Sequence, residues 1–285
     1  MEINTIHIPY EPGQVFSFSM LETHFGAQLC DIEEYHRVMG LRSKDPNHYS
    51  LFVGDTCDLI MPRDEKRYQP SATVPSIMTR DDCLNAAEQY ALEHLKPYAK
   101  NILLIAKGNH EMAIEKRSGY DITSGVVGAL RDGGSPVMFG GICGFLKLAF
   151  IPKGRKAGGR TDHRVTYTIF YHHGVWCGKS IPKIQVEAFA YPWQSWDCFA
   201  FGHNHQLGAW AGVRLYPSPK GDKLMTSKVL FANVGAFLRS YGSKGTMPDY
   251  AEQKALPPKF LGCPMLKVAP GSTTCKAQVI TGEEI

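Results

Sequence analysis

The chain has 285 residues, 44% of them hydrophobic and 20% charged, with a formal net charge of +4 at pH 7. That balance fits a folded globular chain and excludes a disordered one, and no apolar run approaches the roughly 20 residues needed to span a bilayer. The mild charge does not by itself imply a nucleic-acid partner. The eight cysteines include no C-x-x-C pair, so they read as reduced, mostly buried thiols rather than a zinc ribbon. Met1-Glu2-Ile3-Asn4 lacks the basic start and continuous apolar stretch of a signal peptide, so the expectation is a cytoplasmic protein with no membrane partner.

In chain order, Val15 to Met20 alternates like a strand and runs into Glu22-Thr23-His24. Tyr49 to Val53 reads as a buried strand ending at Gly54-Asp55, with Asp58 close behind. Thr79 and Asp82 form a capping-box-like start to a helix that carries Leu84, Ala87, Ala91 and Leu95 on one face and ends at Pro97. Ile102 to Ala106 is the next strand and stops at Gly108-Asn109-His110-Glu111. Val165 to Tyr171 leads to His172-His173-Gly174, and Cys198 to Phe201 leads to Gly202-His203-Asn204-His205. Further strand signals lie at Val229–Ala232 and near Leu266–Val268. Strands alternating with helices predict an α/β fold. With no repeat or linker, residues 1–285 read as one domain, with a motif-bearing core over about 15–235 and a C-terminal extension over 236–285 of no assigned role.

Five apolar strands thus end in clusters of metal-capable side chains, usually beside a glycine. Strand ends hold ligands on a stiff scaffold while the following loops stay open. Hydrolysing a phosphate ester at neutral pH requires an activated water and cations to absorb phosphoryl charge. Two ions about 3.5–4 Å apart do both, with a bridging hydroxide as nucleophile. Mixed imidazole and carboxylate donors suit Mn, Fe, Ni or Zn.

The five blocks, Glu22-Thr23-His24, Gly54-Asp55-Thr56-Cys57-Asp58, Gly108-Asn109-His110-Glu111, His173-Gly174 and Gly202-His203-Asn204-His205, resemble the calcineurin-like metallophosphoesterase superfamily. That family's pattern is D-x-H, G-D-x-x-[DN], G-N-H-[DE], a His beside Gly, and G-H-x-H. The resemblance implies two mixed β-sheets packed face to face and flanked by helices, a four-layer αββα arrangement with two divalent ions at one edge. It implies that Glu22, His24 and His205 hold the first ion, that Asn109, His173 and His203 hold the second, and that Asp55 bridges them. His110 would then steady the phosphoryl oxygens or protonate the leaving group, while Asp58 and Glu111 orient ligands by hydrogen bonding. Glu22 is the departure, since the family usually has Asp there. Its extra methylene shifts the carboxylate by about a bond length or demands another rotamer.

The resemblance is nearer the phosphodiesterase and nuclease branches, which include stand-alone enzymes of bacteria and their phages. Protein phosphatases of the superfamily place an arginine just after the second block. Here Leu59-Ile60-Met61 follows Asp58, and Arg63 substitutes only if its loop bends back. The expected activity is a metal-dependent hydrolase acting on a phosphodiester, with DNA, RNA or a nucleotide as substrate. A phosphomonoesterase on small phosphates and a non-catalytic scaffold of the same fold are the alternatives. The basic run containing Arg155, Lys156 and Arg160 is either a solvated hairpin tip or an arm tracking a phosphate backbone. Tyr191-Pro192-Trp193-Gln194-Ser195-Trp196 is either core or a stacking wall. Oligomeric state is not legible.

Overall fold

The chain opens on two strands, β1 (Glu2–Tyr10) and β2 (Phe16–Leu21), the second built by alternating apolar and small polar residues. In the computed structural model α1 (Ile32–Arg42), β3 (His48–Phe52), α2 (Pro75–Met78), α3 (Cys83–Leu95) and β4 (Ile102–Ile105) follow. Next come α4 (Asn109–Ser118), α5 (Ile122–Asp132), β5 (Met138–Phe139), β6 (Cys143–Pro152), β7 (Val165–His172), α6 (Lys183–Ala190) and β8 (Cys198–Phe201). The chain closes with β9 (Leu207–Pro217), β10 (Leu224–Val234), α7 (Tyr250–Gln253), β11 (Met265–Pro270) and β12 (Cys275–Ile280). The structure describes residues 1–65, 67–154, 164–175, 183–193, 195–218, 221–242 and 250–282. The basic run with Arg155, Lys156 and Arg160 lies outside them.

The strands form two mixed six-stranded sheets, in the orders β1-β6-β7-β8-β10-β9 and β12-β11-β2-β3-β4-β5. Period-2 alternation decides how they face each other. Phe16, Phe18 and Met20 point from β2 into a shared core with Leu51, Leu104, Leu146, Leu148, Ile169, Ala200 and Ala232, which seals the sheets together. Leu21, Phe52 and Ile105 reach the opposite face and pack with α1, α3 and α5 through Tyr35, Ala87, Ala91, Leu95, Val126 and Leu130. On the outside of the first sheet, Phe170, Phe199, Phe231 and Trp196 pack with Val186 and Ala190 of α6. The chain is therefore α/β, two mixed sheets between helices.

The expected helix is α3, and Asp82 does flank its start. The Asp82 carboxylate is held by Arg80, however, and caps no backbone N–H. Pro97 falls in a 3-10 turn, Lys96–Asn101, that continues from α3. The C-terminal extension joins the sandwich, because β11 pairs antiparallel with β2 and β12 with β11. Among the described residues no helix is long and apolar enough to cross a membrane.

Candidate metal centre

Neighbouring β2, β3 and β4 run parallel, so Leu21, Phe52 and Ile105 end at one edge of their sheet. β7 and β8 are parallel in the other sheet and bring His172 and Phe201 into register. The loops leaving these five strand ends meet across the sandwich. Their backbones are unusual. His24, Asp55, His203 and His205 have φ of 58°, 47°, 73° and 56°, a left-handed conformation that non-glycine residues rarely hold and that concentrates at functional sites. Gly54 takes φ 107° where a Cβ would lie 2.6 Å from His173 Nδ1, so only glycine lets that turn close on the imidazole.

The first corner comprises Glu22, His24 and His205. His24 Nδ1–H donates to Asp58 Oδ2 at 3.0 Å, which leaves the Nε2 lone pair facing Glu22 Oε1 and His205 Nε2, each at 3.1 Å. His205 Nε2 is 3.0 Å from the same Glu22 oxygen. The second corner comprises Asp55, Asn109, His173 and His203. His173 Nδ1–H donates to the Val53 carbonyl at 3.2 Å, and its Nε2 faces Asp55 Oδ2 at 2.9 Å and Asn109 Oδ1 at 3.0 Å. His203 Nδ1 lies 2.7 Å from Asn109 Oδ1. Two ring lone pairs and a carboxylate aimed at one point, twice over, call for positive charge at each. The donor set fits transition-metal ions at both corners. Asp55 Oδ2 faces both, since it is also 3.9 Å from His24 Nε2. Buried His, Asp and Glu groups that could hold a metal ion are thus assembled here.

Without a metal, protons answer that demand. Burial opposes charging His173, yet the carboxylates around it, Asp55 first and then Glu22 and Glu111, together outweigh it and hold its pKa at about 9. Burial likewise opposes charge on His24, and the hydrogen bonds to Asp58 and Glu22 outweigh it, raising the group well above its ordinary value. Burial pushes the Glu22 and Asp55 carboxyls up, but the imidazoles around them win and hold both down. His203, buried beside the charged His173, falls to about 4.

A further layer positions these groups. Asp58 holds two rings at once, taking His24 Nδ1–H on Oδ2 and His110 Nδ1–H on Oδ1 at 2.7 Å. His110 Nε2 is thereby turned toward Asp55 Oδ2, 4.0 Å away. His110 and His205 are 18% and 22% exposed, against 0–1% for Glu22, His24 and Asp55, and Asn109 and His203 are also partly exposed, so these four mark the open side of the cluster. Glu111 accepts from the backbone N–H groups of Asp55, Cys57 and Gly108 at 3.1, 2.8 and 2.8 Å. Burial and the nearby Asp55 charge push its pKa up to about 7 against the pull of those N–H groups. Glu22 reaches two places, with Oε1 at the first corner and Oε2 accepting from the His203 N–H at 3.0 Å.

Other candidates lie elsewhere. His172 Nδ1 accepts from the Gly174 N–H at 2.8 Å and is outside the cluster. Arg63 donates to the Arg117 carbonyl near the end of α4, the helix whose first turn carries His110, so its loop does not bend back to the cluster. Trp196 is buried against Phe199 and Phe231, which makes the aromatic run core at that position. Sequence motifs did not point to Phe237, whose N–H donates to the Glu22 carbonyl, or to Lys259, whose Nζ donates to the Asn204 carbonyl at 2.6 Å, between His203 and His205. Neither contact has a spacing signal, because both arrive from the C-terminal extension. Scanned against protein-family models and against curated proteins, the chain matches none.

Proposed function

We propose that the chain is a two-metal phosphoesterase of the calcineurin-like kind that cleaves phosphodiester bonds in nucleic acid or nucleotides. One observation carries the reading: two lone-pair corners share the Asp55 carboxylate, and His110 Nε2 is turned to the same oxygen from the open side. Glu22, His24 and His205 at one corner and Asp55, Asn109, His173 and His203 at the other would hold two divalent ions of the Mn, Fe, Ni or Zn type, which would supply a nucleophile at neutral pH and absorb phosphoryl charge.

The chain's own groups do the rest. Glu22, Asp55, Asn109 and the four imidazoles fix where the phosphoryl group sits. His110 offers Nε2 to a phosphoryl oxygen or delivers a proton to the departing alkoxide. Asp58 favours the protonated ring, and the pKa of His110 is raised by Asp58 and Asp55 against the opposing effect of burial. A diester is favoured over a phosphoprotein because no arginine follows Asp58 and Arg63 is bound at the other end of α4. Arg155, Lys156 and Arg160 remain the proposed backbone contacts.

Protein loaded with Mn or Ni should hydrolyse bis(p-nitrophenyl) phosphate. His110→Ala should lower kcat by about 10²–10⁴-fold without changing the bound metal. Absence of turnover with every divalent ion would sink the enzyme reading. Much faster cleavage of p-nitrophenyl phosphate than of the diester would replace it with a monoesterase.

A further inference from the structure

A cavity of about 670 Å³ opens on the helix side of the second sheet, between α1 and the β11–β12 hairpin. None of the metal-capable residues described above lines it. Its position follows from the fold: α1 covers part of that sheet face, β11 and β12 continue the sheet beside it, and residues of all three line the cavity. The cavity lies within the size range of small-molecule sites.

The floor is polar where sheet faces under helices are normally apolar. The register places Lys267 of β11 opposite Ser17 of β2, and Ser17 opposite His48 of β3. Arg42, at the end of α1, reaches down to donate to Ser19 Oγ at 2.7 Å, Cys263 Sγ at 3.0 Å and the Cys263 carbonyl at 3.1 Å. A guanidinium only donates, so the Ser19 oxygen accepts from Arg42, and it lies 3.1 Å from His48 Nε2. The other ring nitrogen, His48 Nδ1, lies 2.8 Å from Ser17 Oγ. Ser17 in turn lines the cavity. The chain of hydrogen bonds that starts at Arg42 therefore ends at a hydroxyl in the cavity, free to turn its hydrogen toward a bound acceptor.

Lys267 and Arg42 line the same space, and among the described residues neither forms an ion pair with a carboxylate. Lys276 adds a third cation, against Asp45 and the Glu34 that pairs with Arg37. Val38, Leu41, Leu207, Leu261 and Met265 supply apolar wall. We propose that this cavity binds a small amphiphilic oxyanion, its carboxylate or phosphate head on Lys267, Arg42 and the Ser17 hydroxyl and its hydrocarbon body on the apolar wall. Anionic oxygens are the acceptors that match converging cationic and hydroxyl donors.

The proposal stands apart from the phosphoesterase reading and is tested without activity, by calorimetric titration. The probes are octanoate, octyl phosphate and the neutral control octanol. Saturable binding of either anion with a Kd below about 1 mM, at least about tenfold tighter than octanol, is the expected result. The tighter of the two anions identifies the head group. Lys267→Met should weaken that binding about tenfold or more while keeping the parent's melting temperature, and Ser17→Ala should weaken it less. His110→Ala should leave it unchanged. Equal binding of octanol, no effect of Lys267→Met, loss in His110→Ala, or no binding of either anion would each overturn the assignment.

Discussion

Among single residues, Glu22 is the most informative, because its length is used. One carboxylate oxygen sits in the His24–His205 corner while the other holds the His203 N–H, a backbone group beside the second corner. An aspartate on the same backbone would reach one of these points and leave the other. Glu22→Asp should therefore weaken metal binding by about 10–100-fold, the range seen when an orienting contact is lost, and leave the melting temperature of the chelated protein close to the parent's. Competitive titration against a chromophoric chelator measures this. Undiminished affinity in the aspartate variant would mean the double reach is incidental. The ligand types were legible in the sequence because each block sets His, Asp, Glu or Asn directly after an apolar strand, in four of the five beside a glycine. The relay through Ser17, His48, Ser19 and Arg42 was not, since His48 is an isolated histidine, its two serine partners lie on β2 and the arginine arrives from α1.

At the level of elements, the site depends on how tightly the turns after the strands close. Gly202 follows β8, and a Cβ there would lie 2.5 Å from Glu22 Oε2. Gly202→Ala should displace that carboxylate and strip the first corner, seen as loss of one metal equivalent with secondary structure intact by circular dichroism. Full metal content in that variant would show that the loop gives way instead. Glu111 ties together three backbone N–H groups from the loops after β3 and β4. Glu111→Gln replaces an acceptor with a donor facing those groups, so a loss of about 1–3 kcal/mol is expected for buried donors left unmet. Chemical denaturation measures it, and an unchanged midpoint would remove Glu111 as the tie. Seven of the strands, β2, β3, β4, β7, β8, β10 and β11, were readable from alternation or from short apolar runs. β1 and β9 were not, being exposed at alternate positions along edges where no apolar periodicity is needed. Long-range order was not readable either: the return of β11 to pair with β2 depends on matching sheet edges, which a local window does not contain.

For the whole molecule, the face-to-face sheets bury two carboxylates and several imidazoles at their common edge, so ion binding and stability are linked. In the chelated protein the raised pKa of His173, about 9 against an ordinary 6.5, means the folded state holds a proton that the unfolded state releases earlier. The stability this contributes is complete below about pH 6.5 and is lost as pH rises through about 9. His24 and His110 are raised and act in the same direction. His203 is depressed to about 4, so it stays neutral in both states above pH 6.5 and contributes no slope there. The Asp55 and Glu22 carboxyls, held low, are likewise ionised throughout. The chelated protein should therefore lose on the order of 3 kcal/mol between pH 6.5 and 9. A bound ion takes the place of those protons, so the metal-loaded protein should hold a nearly constant melting temperature across the same window. The stabilisation by Mn or Ni should accordingly grow with pH, which paired melting curves with and without chelator would show. A chelated protein whose melting temperature stays flat or rises from pH 6.5 to 9 would mean that the buried charges are balanced by some other means than protonated imidazoles.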